Sequence, residues 1–218
     1  MAIRILLVDD HKIMREGLRS LLEKETDFEV VAEARNGREA IELARSLKPN
    51  VVIMDVTMPE LNGIEATRHI HDEFPAIKVV ALTVHSDKNY LTGMLRAGTA
   101  GYLLKDCAAE ELVQAVRAVA DGKGYVSPEV APMIMKDYSI RGTPSADVST
   151  PGAELGPKEK EILQLIAEGV TTKEIANRLG ISIKTVERTR TQIMDKLQLF
   201  SVAELTKYAI RLGLTPLE

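Results

Sequence analysis

The 218 residues suffice for one large or two small domains, 45% apolar content allows packed cores, and 28% charged content is ordinary for a soluble protein. No apolar run reaches the roughly 18 residues of a membrane span, and the single Cys107 excludes an intrachain disulfide or a cysteine-rich zinc site and reads as a free buried thiol. The start, MAIRILLVDD, meets acid too soon for a signal peptide, so a cytoplasmic location is expected.

With no Trp and 4% aromatic residues, the cores must be aliphatic. Residues 3–8, IRILLV, are a continuous apolar run with β-branched members, the pattern of a strand buried on both faces of a parallel sheet. Residues 12–24 carry helical spacing through Ile13, Leu18, Leu21 and Leu22. A second strand is expected at 28–32, a helix at 38–47 stopped by Pro49, a third strand at 51–54, and a helix at 63–74 ended by Pro75. A fourth strand at 78–83, a helix at 90–97 closed by Gly98, a short fifth strand at 101–104 and a helix at 110–120 closed by Gly122 complete the series. Strands alternating with helices predict an α/β fold, a doubly wound five-stranded parallel sheet covered on both faces, with ligands beyond the carboxyl ends of the strands.

Residues 137–156 are rich in Ser, Thr, Pro, Gly and Ala and read as linker, with 127–136 forming one short connecting helix after Pro128. The pattern then turns wholly helical: about 157–168, 172–179, a helix capped at or near Ser182 and running to about Leu197, and about 202–212. The division expected is 1–125, a linker at 126–154, and a second, all-α helix-turn-helix domain at 155–218. From Leu155 onward the net charge is +2, and before it −6, a weak asymmetry that fits an acidic module joined to a nucleic-acid binder.

Three carboxylates stand where apolar strands finish: Asp9 and Asp10 after the first, Asp55 after the third. If those strands are neighbours, the acids converge, and crowded carboxylates raise one another's pKa unless a cation relieves them. Mg²⁺ is the hard ion such a set suits, held by one or two carboxylates beside a phosphate. Thr83 ends the fourth strand and Lys105 follows the fifth, offering a hydroxyl and an ammonium to phosphoryl oxygens. An aspartate nucleophile, a metal, a cation and a hydroxyl make a phosphoryl-transfer site. A lone acid at a loop start is more often a helix cap; five suitable residues at strand ends together argue otherwise.

VDDH at 8–11, MDVTMPELNG at 54–63, ALTVH at 81–85 and GYLLK at 101–105 resemble a response-regulator receiver domain of the flavodoxin-like fold, over about residues 1–125. The resemblance implies that Asp55 is phosphorylated, that Asp9, Asp10, Asp55 and the backbone carbonyl of Thr57 hold Mg²⁺, and that Thr83 and Lys105 contact the phosphoryl group. It implies Tyr102 as the aromatic that changes rotamer on activation, against the alternative of an ordinary core aromatic. Pro59 and Gly63 would shape the loop after the phosphorylated strand. Thr57 and His85, each two residues past a site residue, would tune access of hydrolytic water; for His85 a solvated loop residue is the alternative.

In 172–197, Ile175, Ala176 and Leu179 form one apolar face and Val186, Ile193, Met194 and Leu197 another. Lys184, Thr185, Glu187, Arg188, Thr191 and Gln192 share the polar face of the second helix, suited to a DNA major groove or equally to plain solvation. The wording of 155–199 resembles the LuxR-type helix-turn-helix, and with the receiver the chain is similar to the NarL/FixJ regulators. The resemblance places Glu187, Arg188 and Thr191 on base edges and makes Thr172, Lys173, Lys184, Thr185 and Arg190 candidates for phosphate contact. Thr189 stands where many members have His, and Leu155-Gly156-Pro157-Lys158-Glu159 departs from the usual opening, which leaves the target sequence open. The last helix, with Val202, Leu205, Tyr208, Ala209 and Leu212, would pair two DNA-bound subunits, though packing in its own domain accounts for part of that stripe. The expected whole is a phosphorylation-controlled, sequence-specific transcriptional regulator of a two-component system. Its expected partners are a sensor histidine kinase, double-stranded DNA and a second copy on activation, with no membrane. Beyond self-catalysed phosphorylation and dephosphorylation it is not expected to be an enzyme. A Mg²⁺-dependent aspartyl-phosphate phosphatase is the rival, but Thr57 stands where its acid/base residue belongs; a constitutive DNA binder is the other.

Overall fold

A computed structural model of the chain describes residues 2–84, 88–135 and 155–215. The chain divides into two compact units, Met1–Thr143 and Pro144–Glu218.

In the first unit β1 (Ile3–Val8), β2 (Phe28–Ala34), β3 (Val51–Asp55), β4 (Lys78–Thr83) and β5 (Gly101–Leu104) alternate with α1 (Lys12–Leu22), α2 (Gly37–Leu47), α3 (Gly63–Glu73), α4 (Lys88–Arg96) and α5 (Ala109–Ala120). The sheet is parallel in the order β2-β1-β3-β4-β5, continued by β6 (Tyr125–Val126). The expected five strands are therefore six: β6 is two residues long, too short to leave a period-2 signal. Residues 126–135, read as the start of the linker, pack in part on the receiver sheet. Ser127 N donates to Tyr102 O at 3.0 Å, and Val130 is buried in the cluster that holds Tyr102, Tyr90 and Met94. Residues 131–135 are helical, within the short helix expected there; residues 136–154 lie outside the described residues.

The continuous apolar runs are explained by burial on both faces. Alternate residues Leu6, Val8, Val52 and Met54 enter one core with α3, α4 and Tyr102, while Ile5, Leu7, Val51 and Ile53 enter the other with Leu22 and α5. Asn36 and Asn62 accept from the backbone amides of Glu39 and Glu65, capping α2 and α3. Gly98 and Gly122 follow α4 and α5 at φ of 90° and 78°, where a Cβ is strained.

The second unit has α6 (Pro157–Ala167), α7 (Thr172–Leu179), α8 (Ile183–Leu197) and α9 (Val202–Arg211) around a core of Ile162, Leu163, Ile175, Val186, Ile193 and Leu205. No helix among the described residues is long and apolar enough to cross a membrane.

Candidate functional site

Parallel pairing of β1 with β3, Val8 opposite Met54, sets Asp9 beside Asp55. On β4 Asp55 faces Leu82, so Thr83 lies one step beyond it; Thr83 in turn faces Leu104, one step before Lys105. The backbone amide of Lys105 donates to Thr83 O at 2.7 Å, tying the two strand ends together. Asp9, Asp55 and Thr83 are buried, and the Lys105 side chain is 7% exposed. Lys105 Nζ lies 2.6 Å from Asp55 Oδ2 and 2.7 Å from Asp9 Oδ2, one ammonium between two carboxylates.

Burial pushes the Asp55 carboxyl up to about 6; Lys105 and the Thr57 amide counter this, while Asp9 adds to it. For Lys105 burial is the largest single influence and lowers its affinity for the proton, but Asp55 and Asp9 together outweigh it, and the ammonium is held above its ordinary range. Thr57 N donates to Asp55 Oδ1 at 3.4 Å, turning the chain back over the site. Gly63 is required sterically: a Cβ there would stand 1.9 Å from Asp55 O. Asp10 is more open, its side chain 30% exposed, and its buried Oδ1 receives no hydrogen bond. One ligand atom from each of Asp9, Asp10, His11 and Asp55 lies within 4.8 Å of the others, which suits a cation.

Tyr102, on β5 opposite Ala81, is 1% exposed inside the apolar cluster. His85 lies outside the described residues. Two residues had no role assigned from sequence. His11 caps α1 without a side-chain bond and turns Nδ1 to within 2.8 Å of Asp10 Oδ1. Arg15, one turn into α1, donates from Nη1 to Asp9 O at 2.6 Å and pairs with Glu33 at 3.3 Å, fixing the loop that carries the acids.

In the second unit Thr171 and Glu174 form a reciprocal capping box at α7, and Gly180 at φ 62° makes the turn to α8, capped by Ser182. Val186 and Ile193 face the core, as the spacing predicts. Lys184, Thr185, Glu187, Arg188, Thr191 and Gln192 are exposed together, Lys173 is exposed on α7, and Thr172 and Arg190 are half-buried. Two of these hydroxyls are engaged locally: Thr185 Oγ1 with Ser182 Oγ at 2.8 Å, and Thr191 Oγ1 donating to Glu187 O at 3.1 Å. Lys196 pairs with Glu159, joining α8 to α6.

Residues 5–117 match the response regulator receiver domain family, and residues 153–209 match the bacterial regulatory proteins of the luxR family. The chain belongs to the NarL/FixJ response regulators. The regulator is 36% identical over 222 residues to the transcriptional regulatory protein DegU of Brevibacillus brevis, covering 97% of this chain and 94% of that one. It is 41% identical over 211 residues to the oxygen regulatory protein NreC of Staphylococcus haemolyticus, covering 95% and 97%. A solved RcsB–DNA complex is similar at 29% identity and a TM-score of 0.59, over 95% of this chain and 98% of that one. The regulator is thus a DNA-binding transcriptional regulator of a two-component system, with a receiver and a LuxR-type domain.

Proposed function

We propose that Asp55 is the phosphoacceptor, and that its phosphorylation controls DNA binding by α8. The observation that carries the reading is the Lys105 ammonium held between two buried carboxylates at the carboxyl edge of the sheet. An Asp55 carboxylate oxygen bonds to phosphorus, the bond from phosphorus to the donor's imidazole nitrogen or acyl oxygen breaks, and its electron pair leaves with the donor. Lys105 then pairs with a phosphoryl oxygen, and the Thr83 hydroxyl hydrogen-bonds another. Asp9, Asp10, Asp55 and the Thr57 backbone carbonyl would hold Mg²⁺; the undonated Asp10 Oδ1 and the oxygen-rich set fit it. Bound there, the ion neutralises charge on the acids and the phosphoryl group. Tyr102 follows Thr83 as the switch, biasing a two-state receiver surface.

The phosphodonor is a sensor histidine kinase. A 310 Å³ apolar groove lined by Ile13, Met14, Leu18, Cys107 and Leu112 borders Lys105 and would seat it. On double-stranded DNA, Glu187, Arg188 and Thr191 would meet base edges, with Thr172, Lys173, Lys184, Thr185 and Arg190 at phosphates. Activation forms a homodimer. Leu205 and Ala209 of α9 are spent in its own core, but Phe200 and Val202 remain 73% and 42% exposed. A regulator whose target is DNA acts in the cytoplasm, and its only catalysis is on its own Asp55.

The test is incubation of the full chain with acetyl phosphate, with Mg²⁺ or with EDTA, read by intact mass. One phosphoryl group is expected on the wild type with Mg²⁺ and none on Asp55→Ala. Equal labelling of both proteins, or none on the wild type, would overturn the assignment.

A further inference from the structure

We propose that Thr191 is a specificity-determining residue that reads thymine, through contact of its own γ-methyl with the thymine 5-methyl group and not through its hydroxyl. The inference rests on the reading that the exposed face of α8 meets base edges in the major groove.

The side chains of that face differ in what they have left to offer. Glu187, Arg188 and Thr191 are exposed, and spacings of three and four put Thr191 one turn beyond the other two on the same side of the helix. An ionised Glu187 can only accept hydrogen bonds, and Arg188 can only donate them. A free threonine hydroxyl would do both, but Thr191 Oγ1 donates to Glu187 O at 3.1 Å, the carbonyl four residues back. Threonine within a helix takes this bond readily, because its rotamers can set the oxygen against the preceding turn. The oxygen then lies along the backbone with its one proton committed, and the γ-methyl is the group left to meet DNA.

Turning the hydroxyl to a base would break one hydrogen bond to make another, an exchange with little net gain. Methyl contact gives up no such bond. In the major groove thymine alone presents an apolar group, its 5-methyl, whereas guanine, cytosine and adenine present only donors and acceptors. Thr185, the other threonine of this face, is engaged in the same way, its Oγ1 sharing a hydrogen bond with Ser182 Oγ at 2.8 Å. Hydrogen-bond readout on this face therefore falls to Glu187 and Arg188, and apolar readout to Thr191.

The experiment selects duplexes from a random pool with the full chain, then replaces each thymine of the enriched site in turn by uracil, which lacks only the methyl group. At one thymine of each half-site wild type is expected to bind uracil about fourfold more weakly, the factor for burying one methyl group. Thr191→Ser keeps the hydroxyl and loses the methyl, and should bind thymine and uracil alike there. Thr191→Val keeps the methyl and loses the hydroxyl, and should retain the thymine-to-uracil ratio. Ser, Thr and Val differ little in helix propensity, and circular dichroism checks that both variants fold. No thymine with a methyl effect, an effect that survives in Thr191→Ser, or one lost in Thr191→Val overturns the proposal. If Arg188→Ala still loses specific affinity in those cases, the groove reading of α8 stands without it. If the wild type enriches no sequence, or Arg188→Ala and Thr191→Ser both bind the selected site as the wild type does, that reading falls too.

Discussion

Replacing Asp55 by Asn should stabilise the metal-free receiver, although it destroys the phosphoacceptor. The folded carboxyl titrates at about 6 against 3.8 for the ordinary group, because burial disfavours its charge more than Lys105 restores it. The folded state therefore holds this proton more tightly than the unfolded chain does. Stability from this group is full below pH 3.8, declines as pH rises from 3.8 to 6, and is flat above. Two pKa units correspond to about 3 kcal/mol, and Asn resembles the neutral acid. Asp55→Asn should thus gain about 3 kcal/mol at pH 7.5, about half that at pH 5, and a few tenths near pH 4. A shift of the receiver transition by about 10 °C is the expected scale at neutral pH. Urea unfolding in EDTA, followed by circular dichroism at the three pH values, measures it. Saturating Mg²⁺ should narrow the gap by stabilising wild type through linkage. A variant no more stable than wild type at pH 7.5, or a gain that does not shrink toward pH 4, would refute the electrostatic account.

Gly63→Ala would drive a methyl group into Asp55 O and should cost about 3 kcal/mol or more, measured by the same unfolding. Thr171→Ala removes half of the α7 capping box and should lower the unfolding free energy of the second unit by about 1 kcal/mol without touching α8. Burial beside Glu111 and Asp106 pushes the Cys107 thiol up to about 11, so alkylation at pH 8 should run about a hundredfold slower than for a free thiol; rapid labelling contradicts this. On DNA selected from a random pool by wild type, Arg188→Ala should lose about 1–3 kcal/mol of specific affinity, whereas Lys184→Ala should weaken all sequences alike and flatten the salt dependence. Footprinting across salt concentrations separates the two.

The layered sheet and the acidic site were legible because each leaves a repeated signal. Runs such as IRILLV need burial on both faces, and Asp9, Asp55, Thr83 and Lys105 each follow a strand that the register then aligns. Arg15 and His11 escaped a role because theirs is set by loop geometry: a guanidinium on a backbone carbonyl and a ring turned toward its neighbour. β6 escaped because two residues have no period. On α8 the spacing separated buried Val186 and Ile193 from exposed Glu187 and Arg188, but nothing in it shows that Thr185 and Thr191 bond within their own helix segment.

β6 also guards an edge. β5 would otherwise end the sheet with a row of open amides and carbonyls, the surface on which foreign strands add and proteins aggregate. Tyr125 and Val126 occupy that row, and Val130 lies over Tyr102, Tyr90 and Met94 just beyond it. An isolated receiver ended at residue 125 would lose most of this cover and should self-associate, while one ended at 135 should stay monomeric. Shortening the connection to the DNA-binding unit from its receiver end would therefore cost solubility before it cost reach.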